Sequence, residues 1–318
     1  MKRISRLLFI FCVVLLTGCA STQPTEARRV DIRPLACFWY DGTAEASIAK
    51  RFAREVAFAQ HVAVYSVAAY NVYDDDSKRY EDIPFPNDET WQVIESKNAI
   101  QDGIGFAAQA WTRTVPDGGV ELIVAYRGTD SFLKDFFKGN LVFAKHLFGR
   151  TQFDAALDYY REIKTRTSSL APTRTVLVGH SLGGGLAEYV QRLVPGTEAI
   201  TFDPSPNQGR LYSLFDAKQP RDAVRVYERG EVLSYLRYVM SPDLRLEASP
   251  VGTGVLAIWF DFYANNPISA HSMRDLSASL IKVAAAAGHP ASKNILLQLQ
   301  KRPETEAATA PDCRNAAR

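Results

Sequence analysis

The sequence predicts an α/β fold, a doubly wound, mostly parallel sheet with helices on both faces, and three observations predict it. Short runs of β-branched and aliphatic residues alternate with stretches whose apolar residues recur at helical spacing. One run, Val176-Leu177-Val178, breaks at a glycine, presents a serine, and resumes as a helix-compatible segment through Leu186, Ala187, Tyr189, Val190 and Leu193. The 318 residues are 47% hydrophobic with 19 Gly and 16 Pro, the composition of a globular chain able to bury one sizeable core. In such a sheet ligands bind beyond the carboxyl ends of the strands, so the residues following each strand are where chemistry is to be sought.

Residues 1–18 read as a targeting segment. Lys2, Arg3 and Arg6 precede an apolar run from Leu7 to Leu16 that is too short for a persuasive membrane span. The ending Leu16-Thr17-Gly18-Cys19 resembles a bacterial lipobox. That resemblance implies cleavage before Cys19 and acylation of its thiol; an ordinary secretion signal with an incidental cysteine is the alternative. Several acyl chains, at about 0.8 kcal/mol per buried CH₂, hold a protein stably to a bilayer. Ala20 rather than Asp follows the cysteine, which by the same resemblance favours the outer membrane of the bacterial cell envelope, facing the periplasm or the outside. Residues 19–33 are polar and suit a tether, 34–300 the folded domain, and 301–318 a polar tail.

Of the 37 basic residues, loss of Lys2, Arg3 and Arg6 leaves 34 against 35 acidic ones. A near-neutral mature chain excludes electrostatic binding of nucleic acid. Of four cysteines, Cys12 leaves with the signal and Cys19 is the lipid acceptor. Cys37 and Cys313 remain, either to bridge in an oxidising envelope or to stay as two free thiols. His61 and His146 lack metal-ligand spacing, and neither a metal nor a cofactor is expected.

Ala44 to Tyr73 carries Phe52, Val56, Val62, Tyr65 and Ala69 at helical spacing and predicts one long helix or two short ones, ending at the solvated run Asp74-Asp75-Asp76. Gly105 to Arg113 and Val120 to Tyr126 alternate as two strands about the turn Pro116-Asp117-Gly118-Gly119. From Phe132 to Phe148, apolar residues are interleaved with Lys134, Lys138 and Lys145, a pattern that suits either the surface of an anionic bilayer or a helix packed on the sheet. A helix over Phe153 to Lys164 follows, then a strand at Thr175 to Val178 and a helix through Ala187 to Leu193. Strands at Ala199 to Phe202 and Val224 to Tyr227, the run Val255 to Phe262, and a last short helix from Lys293 to Leu299 complete the chain.

Gly179-His180-Ser181-Leu182-Gly183 is the Gly-x-Ser-x-Gly pattern of a nucleophile elbow. A sharp strand-to-helix turn strains the serine backbone, and side chains two residues to either side would collide. Ser181 Oγ is thereby lifted clear, and the Leu182 amide at the helix N-terminus can point at an oxyanion. The longer run Val178-Gly179-His180-Ser181-Leu182-Gly183-Gly184-Gly185 resembles the class 3, fungal-lipase-like lipase family of the α/β-hydrolase fold, in which Gly-His-Ser-Leu-Gly-Gly carries the catalytic serine. Together with the lipobox, the chain resembles a bacterial lipoprotein of that family. Arg127-Gly128-Thr129-Asp130, at the end of an early strand, is similar to the family pattern as well. The resemblance implies that Thr129 supplies an amide, and often its side-chain oxygen, to the oxyanion hole, with Arg127 and Asp130 as buried supports. It also implies a lid before the nucleophile helix, with Phe132, Phe136, Phe137, Leu141 and Phe148 as its candidates. Where the family often has His-x-Gly-Phe, this chain has Thr151-Gln152-Phe153.

In this fold a carboxylate and then a histidine follow the serine. Asp203 lies one strand after the nucleophile and Glu231 two strands after it. The fold pattern favours the second position, and the family carries an acid followed by an apolar residue there, as in Glu231-Val232-Leu233, although Glu departs from its usual Asp. Asp203, followed by Pro204, is the alternative acid, or a residue that fixes its own loop. His271, just before a helix, is the candidate base; His289, in Gly288-His289-Pro290, suits a capping turn, and His180 suits packing beside the elbow. The expectation is a membrane-anchored serine hydrolase of lipid esters, by resemblance a lipase or phospholipase A. Alternatives are a short-chain carboxylesterase or thioesterase, and a catalytically idle lipoprotein that binds lipids or a partner. No pattern specifies an oligomeric state.

Overall fold

Seven strands hydrogen-bond in chain order into one sheet. The computed structural model describes residues 53–73, 82–87, 90–97, 105–115, 117–128, 151–205, 223–234, 255–260, 262, 267 and 269–300. These all fall in the unit Asp31–Arg318. The expected signal segment, the tether, Cys19, Cys37, Thr129, Asp130, the lid candidates Phe132, Phe136, Phe137, Leu141 and Phe148, the tail and Cys313 lie outside the described residues.

The strands are β1 (Thr90–Lys97), β2 (Ala108–Thr114), β3 (Val120–Tyr126), β4 (Arg174–His180), β5 (Glu198–Phe202), β6 (Ala223–Glu228) and β7 (Val255–Phe260). The α-helices among the described residues are α1 (Ala53–Asn71), α2 (Gln152–Arg166), α3 (Leu182–Leu193), α4 (Met273–Ala286) and α5 (Pro290–Gln300). β1 to β3 pair antiparallel, and β3 to β7 pair parallel. With helices on both faces this is the α/β-hydrolase fold. Because the strand order is monotonic, the helices of the successive crossovers, α2 and α3, pack against each other on one face, while α1 and α4 cover the other. β1 is a strand that no periodicity announced. Among the described residues it pairs with β2 alone, across a bulge between Val93 and Glu95 that shifts the register, and Val93 stands 61% exposed while Ile94 packs on the core, so the alternation is interrupted within the strand.

β4 reads as an unbroken apolar run because both of its faces are covered. Leu177 packs with Leu122, Val124 and Tyr126 of β3 and with Tyr159, Leu186 and Val190 of α2 and α3. Val176 and Val178 alternate to the opposite face and are also fully buried. There α1 is buried at every position from Val62 to Asn71, which explains its faint amphipathicity. Ser66 Oγ meets Ser277 Oγ of α4 at 2.9 Å, satisfying both hydroxyls inside that interface. No helix among the described residues is long and apolar enough to cross a membrane.

Thr151 caps α2 in a capping box with Asp154, so the residues that depart from the family's His-x-Gly-Phe form a helix start of their own. At the opposite end of the sheet from the elbow, buried Glu121 receives Arg113, Arg174 and Tyr65, tying α1 to β2, β3 and β4. Arg174 also grips Glu198 at the start of β5 with two bonds of 2.9 and 2.7 Å. Hydrogen bonding from Arg174, against the opposing effect of partial burial, holds the Glu198 carboxyl below its ordinary range. A carboxylate depressed on folding contributes stability above its unfolded pKa, about 4.3, and that contribution is lost as pH falls through the lower folded value. Glu198→Gln is therefore expected to flatten the loss of melting temperature below about pH 4.3 while changing stability at pH 7 by less than about 1 kcal/mol, the pair being half exposed. Identical acid limbs in both proteins would refute this.

Candidate active site

The elbow is built by its glycines. Ser181 holds φ 56° and ψ −124° between the end of β4 and the first residue of α3. This is a left-handed conformation that a side chain adopts only under constraint. A Cβ on Gly179 would come within 2.3 Å of the Gly183 carbonyl, and one on Gly183 within 2.0 Å of the Tyr126 carbonyl oxygen. The bend is thus wedged against both the helix start and the neighbouring strand, and neither position admits alanine without backbone movement. The Ser181 amide donates to the Phe202 carbonyl at 3.0 Å, and the Ser205 amide donates to the Ser181 carbonyl at 2.8 Å. These two bonds pin the turn to the end of β5. Leu182 opens α3, so its amide belongs to the first turn, where the helix offers no carbonyl partner. Gly128, the last described residue before Thr129, lies against the elbow: a Cβ there would stand 2.7 Å from the His180 carbonyl oxygen.

Glu231 and His271 come together from loops 40 residues apart because the Val232 amide donates to the Pro267 carbonyl at 3.0 Å, joining the two loops. Glu231 is fully buried after β6, where it accepts the Leu233 amide at 2.8 Å and the Ser234 hydroxyl at 3.1 Å. Its Oε2 stands 2.8 Å from His271 Nδ1. The separation is that of a hydrogen bond. Nε2 of His271 is buried and has no hydrogen-bond partner among the described residues. The imidazole packs 4.6 Å from the ring of His180, the residue directly before Ser181.

His180 does more than fill space. Its Nδ1 lies 2.9 Å from the hydroxyl of Tyr73, just past α1, and that hydroxyl sits where a Cβ on Gly128 would be, at 2.5 Å. Sequence reasoning did not single out Tyr73; nothing at the end of an aromatic-rich helix marks it. Asp203, the alternative acid, is fully buried at the end of β5 and holds φ 41°. Its Oδ1 accepts the Glu228 amide at 2.8 Å, so it does fix its loop. Its carboxylate also stands with the nitrogens of His180 and His271 in a cluster whose atoms all lie within 4.8 Å of one another. Two imidazoles and a carboxylate make a set able to take a transition metal, and the same atoms can equally move and steady a proton. His289 sits apart from this cluster: its amide donates to the Ala284 carbonyl and that of Gly288, at φ 95°, to Ala285, closing α4 with a Schellman turn.

The family described as phospholipase-like, the Tle-like phospholipase domain, matches residues 61–246, more than half of the chain and including Ser181, Asp203 and Glu231. Among curated proteins none matches. Similar solved structures include the lipase from Rhizopus microsporus var. chinensis, at 14% identity over 61% of this chain and 70% of that one, TM-score 0.33. Lipase II from Rhizopus niveus aligns at 15% identity over 61% and 77%, TM-score 0.32. Brefeldin A esterase, described as a bacterial homologue of human hormone sensitive lipase, aligns at 12% identity over 76% and 87%, TM-score 0.36.

Proposed function

Since the chain belongs to the family of the Tle-like phospholipase domain, we propose that it cleaves a carboxylic ester of a lipid, in the manner of a lipase or phospholipase A, through an acyl-enzyme on Ser181. His271 Nε2 takes the proton of Ser181 Oγ as that oxygen attacks the ester carbonyl. Glu231 holds the imidazole with its proton on Nδ1 and steadies the imidazolium. The amides of Leu182 and Thr129 receive the oxyanion. The imidazolium then protonates the departing alcohol, and water, deprotonated by the same ring, releases the acid and restores the serine. One observation carries this reading: a serine held at φ 56° on a strand-to-helix bend, directly after a histidine whose ring lies 4.6 Å from that of His271, which itself stands 2.8 Å from a buried carboxylate.

The experiment is product analysis on phospholipid vesicles, a triacylglycerol emulsion and a monomeric short-chain ester, with Ser181→Ala as the control. Acid released from the long-chain lipids, and absent in the control, supports the reading. Turnover confined to the short ester or to a thioester assigns the site to that class instead. Folded protein that takes up no fluorophosphonate label is a binding protein.

The proposal extends to the envelope, where acylation of Cys19 would hold the domain at the surface that supplies its substrate. Cys19→Ser is expected to move the protein from the membrane fraction to the soluble one. An unchanged distribution, with no acyl mass on the N-terminal peptide, removes the anchor.

A further inference from the structure

Tyr73 places a phenol oxygen where the site has least room. A Cβ on Gly128 would lie 2.5 Å from that oxygen, 2.7 Å from the His180 carbonyl oxygen and 3.3 Å from Ser181 Cβ, so the hydroxyl, the elbow and the chain just past β3 meet about one point. Gly128 does not hold a left-handed φ, so its glycine answers to this crowding rather than to backbone conformation. The ladder between β3 and β4 has ended by then, its last pair being Tyr126 and Gly179. The hydroxyl also arrives on a firm support. The Tyr73 amide donates to the Tyr70 carbonyl at 3.1 Å, extending the last turn of α1, and the Asn71 side chain holds the backbone of Ile83 by two bonds, at 2.8 and 3.0 Å. α1 in turn packs on α4, the helix that begins just after His271.

We propose that Tyr73 is a positioning residue for ester cleavage: its hydroxyl sets the ring of His180, and that ring is the surface against which the His271 imidazole is seated beside the elbow. The proposal rests on the serine-hydrolase reading for its catalytic meaning. The hydroxyl meets His180 Nδ1 at 2.9 Å, the two rings standing 6.0 Å apart and tilted by 59°, and the His180 ring lies 4.6 Å from that of His271. Rotation of an imidazole about its Cβ–Cγ bond has a broad, shallow profile, so packing alone leaves the ring angle soft. A hydrogen bond at one nitrogen fixes it. The base has to meet Ser181 Oγ at hydrogen-bond distance in the reacting complex, and a displacement of about one ångström costs about 10²-fold in rate. Tyr73 takes no proton in this scheme; it acts through His180.

The test compares wild type, Tyr73→Phe, His180→Phe and the double variant as full chains in detergent, on a soluble short-chain ester. Tyr73→Phe keeps the ring and removes only the oxygen, so its melting temperature should stay within about 3 °C of wild type. Its kcat is expected to fall about tenfold with KM within about twofold, and the rate of fluorophosphonate labelling to fall by the same factor. On the His180→Phe background there is no ring nitrogen left to hold, and adding Tyr73→Phe should slow labelling by less than about twofold. The ¹⁵N signal of His180 Nδ1, read at one fixed pH without substrate, should move in Tyr73→Phe. Wild-type kcat in Tyr73→Phe overturns the proposal. So does a rise in KM alone, which would make Tyr73 a substrate contact, and so does a full tenfold loss on the His180→Phe background. Wild-type protein that neither turns over ester nor takes label counts against the hydrolase reading; the His180 signal then decides by itself whether the hydroxyl sets that ring, and an unmoved signal overturns the proposal.

Discussion

Ser181→Ala is expected to abolish labelling by a fluorophosphonate and to lower ester turnover by about 10⁴-fold or more. The substitution removes Oγ and keeps Cβ, so the backbone at φ 56° has the same constraint and the elbow the same wedge of glycines. Ser181 makes no side-chain capping bond to α3. Thermal stability should therefore stay close to wild type while chemistry disappears, which separates a lost nucleophile from a damaged fold. Replacing His271 in the same protein should add little, because a base without its nucleophile has nothing to activate. The pair of measurements is turnover on a long-chain ester and the melting curve. A fall of less than tenfold with the melting curve unchanged would mean that another group attacks the carbonyl.

The largest effect on stability is expected from Arg225→Ala. Arg225 lies in the middle of β6 and Glu188 in α3, with side chains only 5% and 2% exposed. They meet in a two-pronged contact, Nε to Oε1 at 2.7 Å and Nη2 to Oε2 at 2.6 Å, and Thr201 of β5 donates its hydroxyl to the same carboxylate at 3.2 Å. Removing one partner leaves a buried, unmatched carboxylate, and such losses run to about 3–5 kcal/mol. For a domain of this size that is a fall in melting temperature on the order of 10 °C. Removing both charges together should be far milder: Arg225→Met with Glu188→Leu is expected to melt well above Arg225→Ala, since an apolar pair has no charge to desolvate. Urea midpoints for the single and double variants read this directly, and equal losses in both would show that volume rather than charge dominates.

Much of the frame was legible before any coordinates. Val176 to Val178, an apolar run that stops at Gly179, reads as a strand, and Gly179 and Gly183 announce a bend because the steric reason for them is local. The capping of α4 at Gly288-His289 was legible on similar grounds, since a left-handed residue followed by a proline is written into three consecutive positions. β1 escaped because a bulge between Val93 and Glu95 breaks the alternation of a short edge strand. The Arg225–Glu188 pair escaped although half of its signal is present: an arginine between Val224 and Val226 in a strand covered on both faces demands a buried partner, but 37 residues of chain separate it from the one it has. Tyr73 left no trace, because its role is defined by the strand end and the glycine it meets rather than by its neighbours in the chain.

The serine and the bend that displays it are properties of five adjacent residues, and short-range sterics are enough to specify them. Which carboxylate stands where around the imidazole is of another kind. Asp203 follows β5 and Glu231 follows β6, adjacent strands of a parallel sheet; the acid-then-apolar run favours Glu231 as the acid, but nothing local says where either carboxylate stands. Their geometry comes from packing: the Val232 amide to Pro267 draws the Glu231 loop onto the one carrying His271, and Asp203, at φ 41°, stands near the two rings. Contacts between segments tens of residues apart depend on how every intervening element closes, and a linear sequence carries no local signature of that closure.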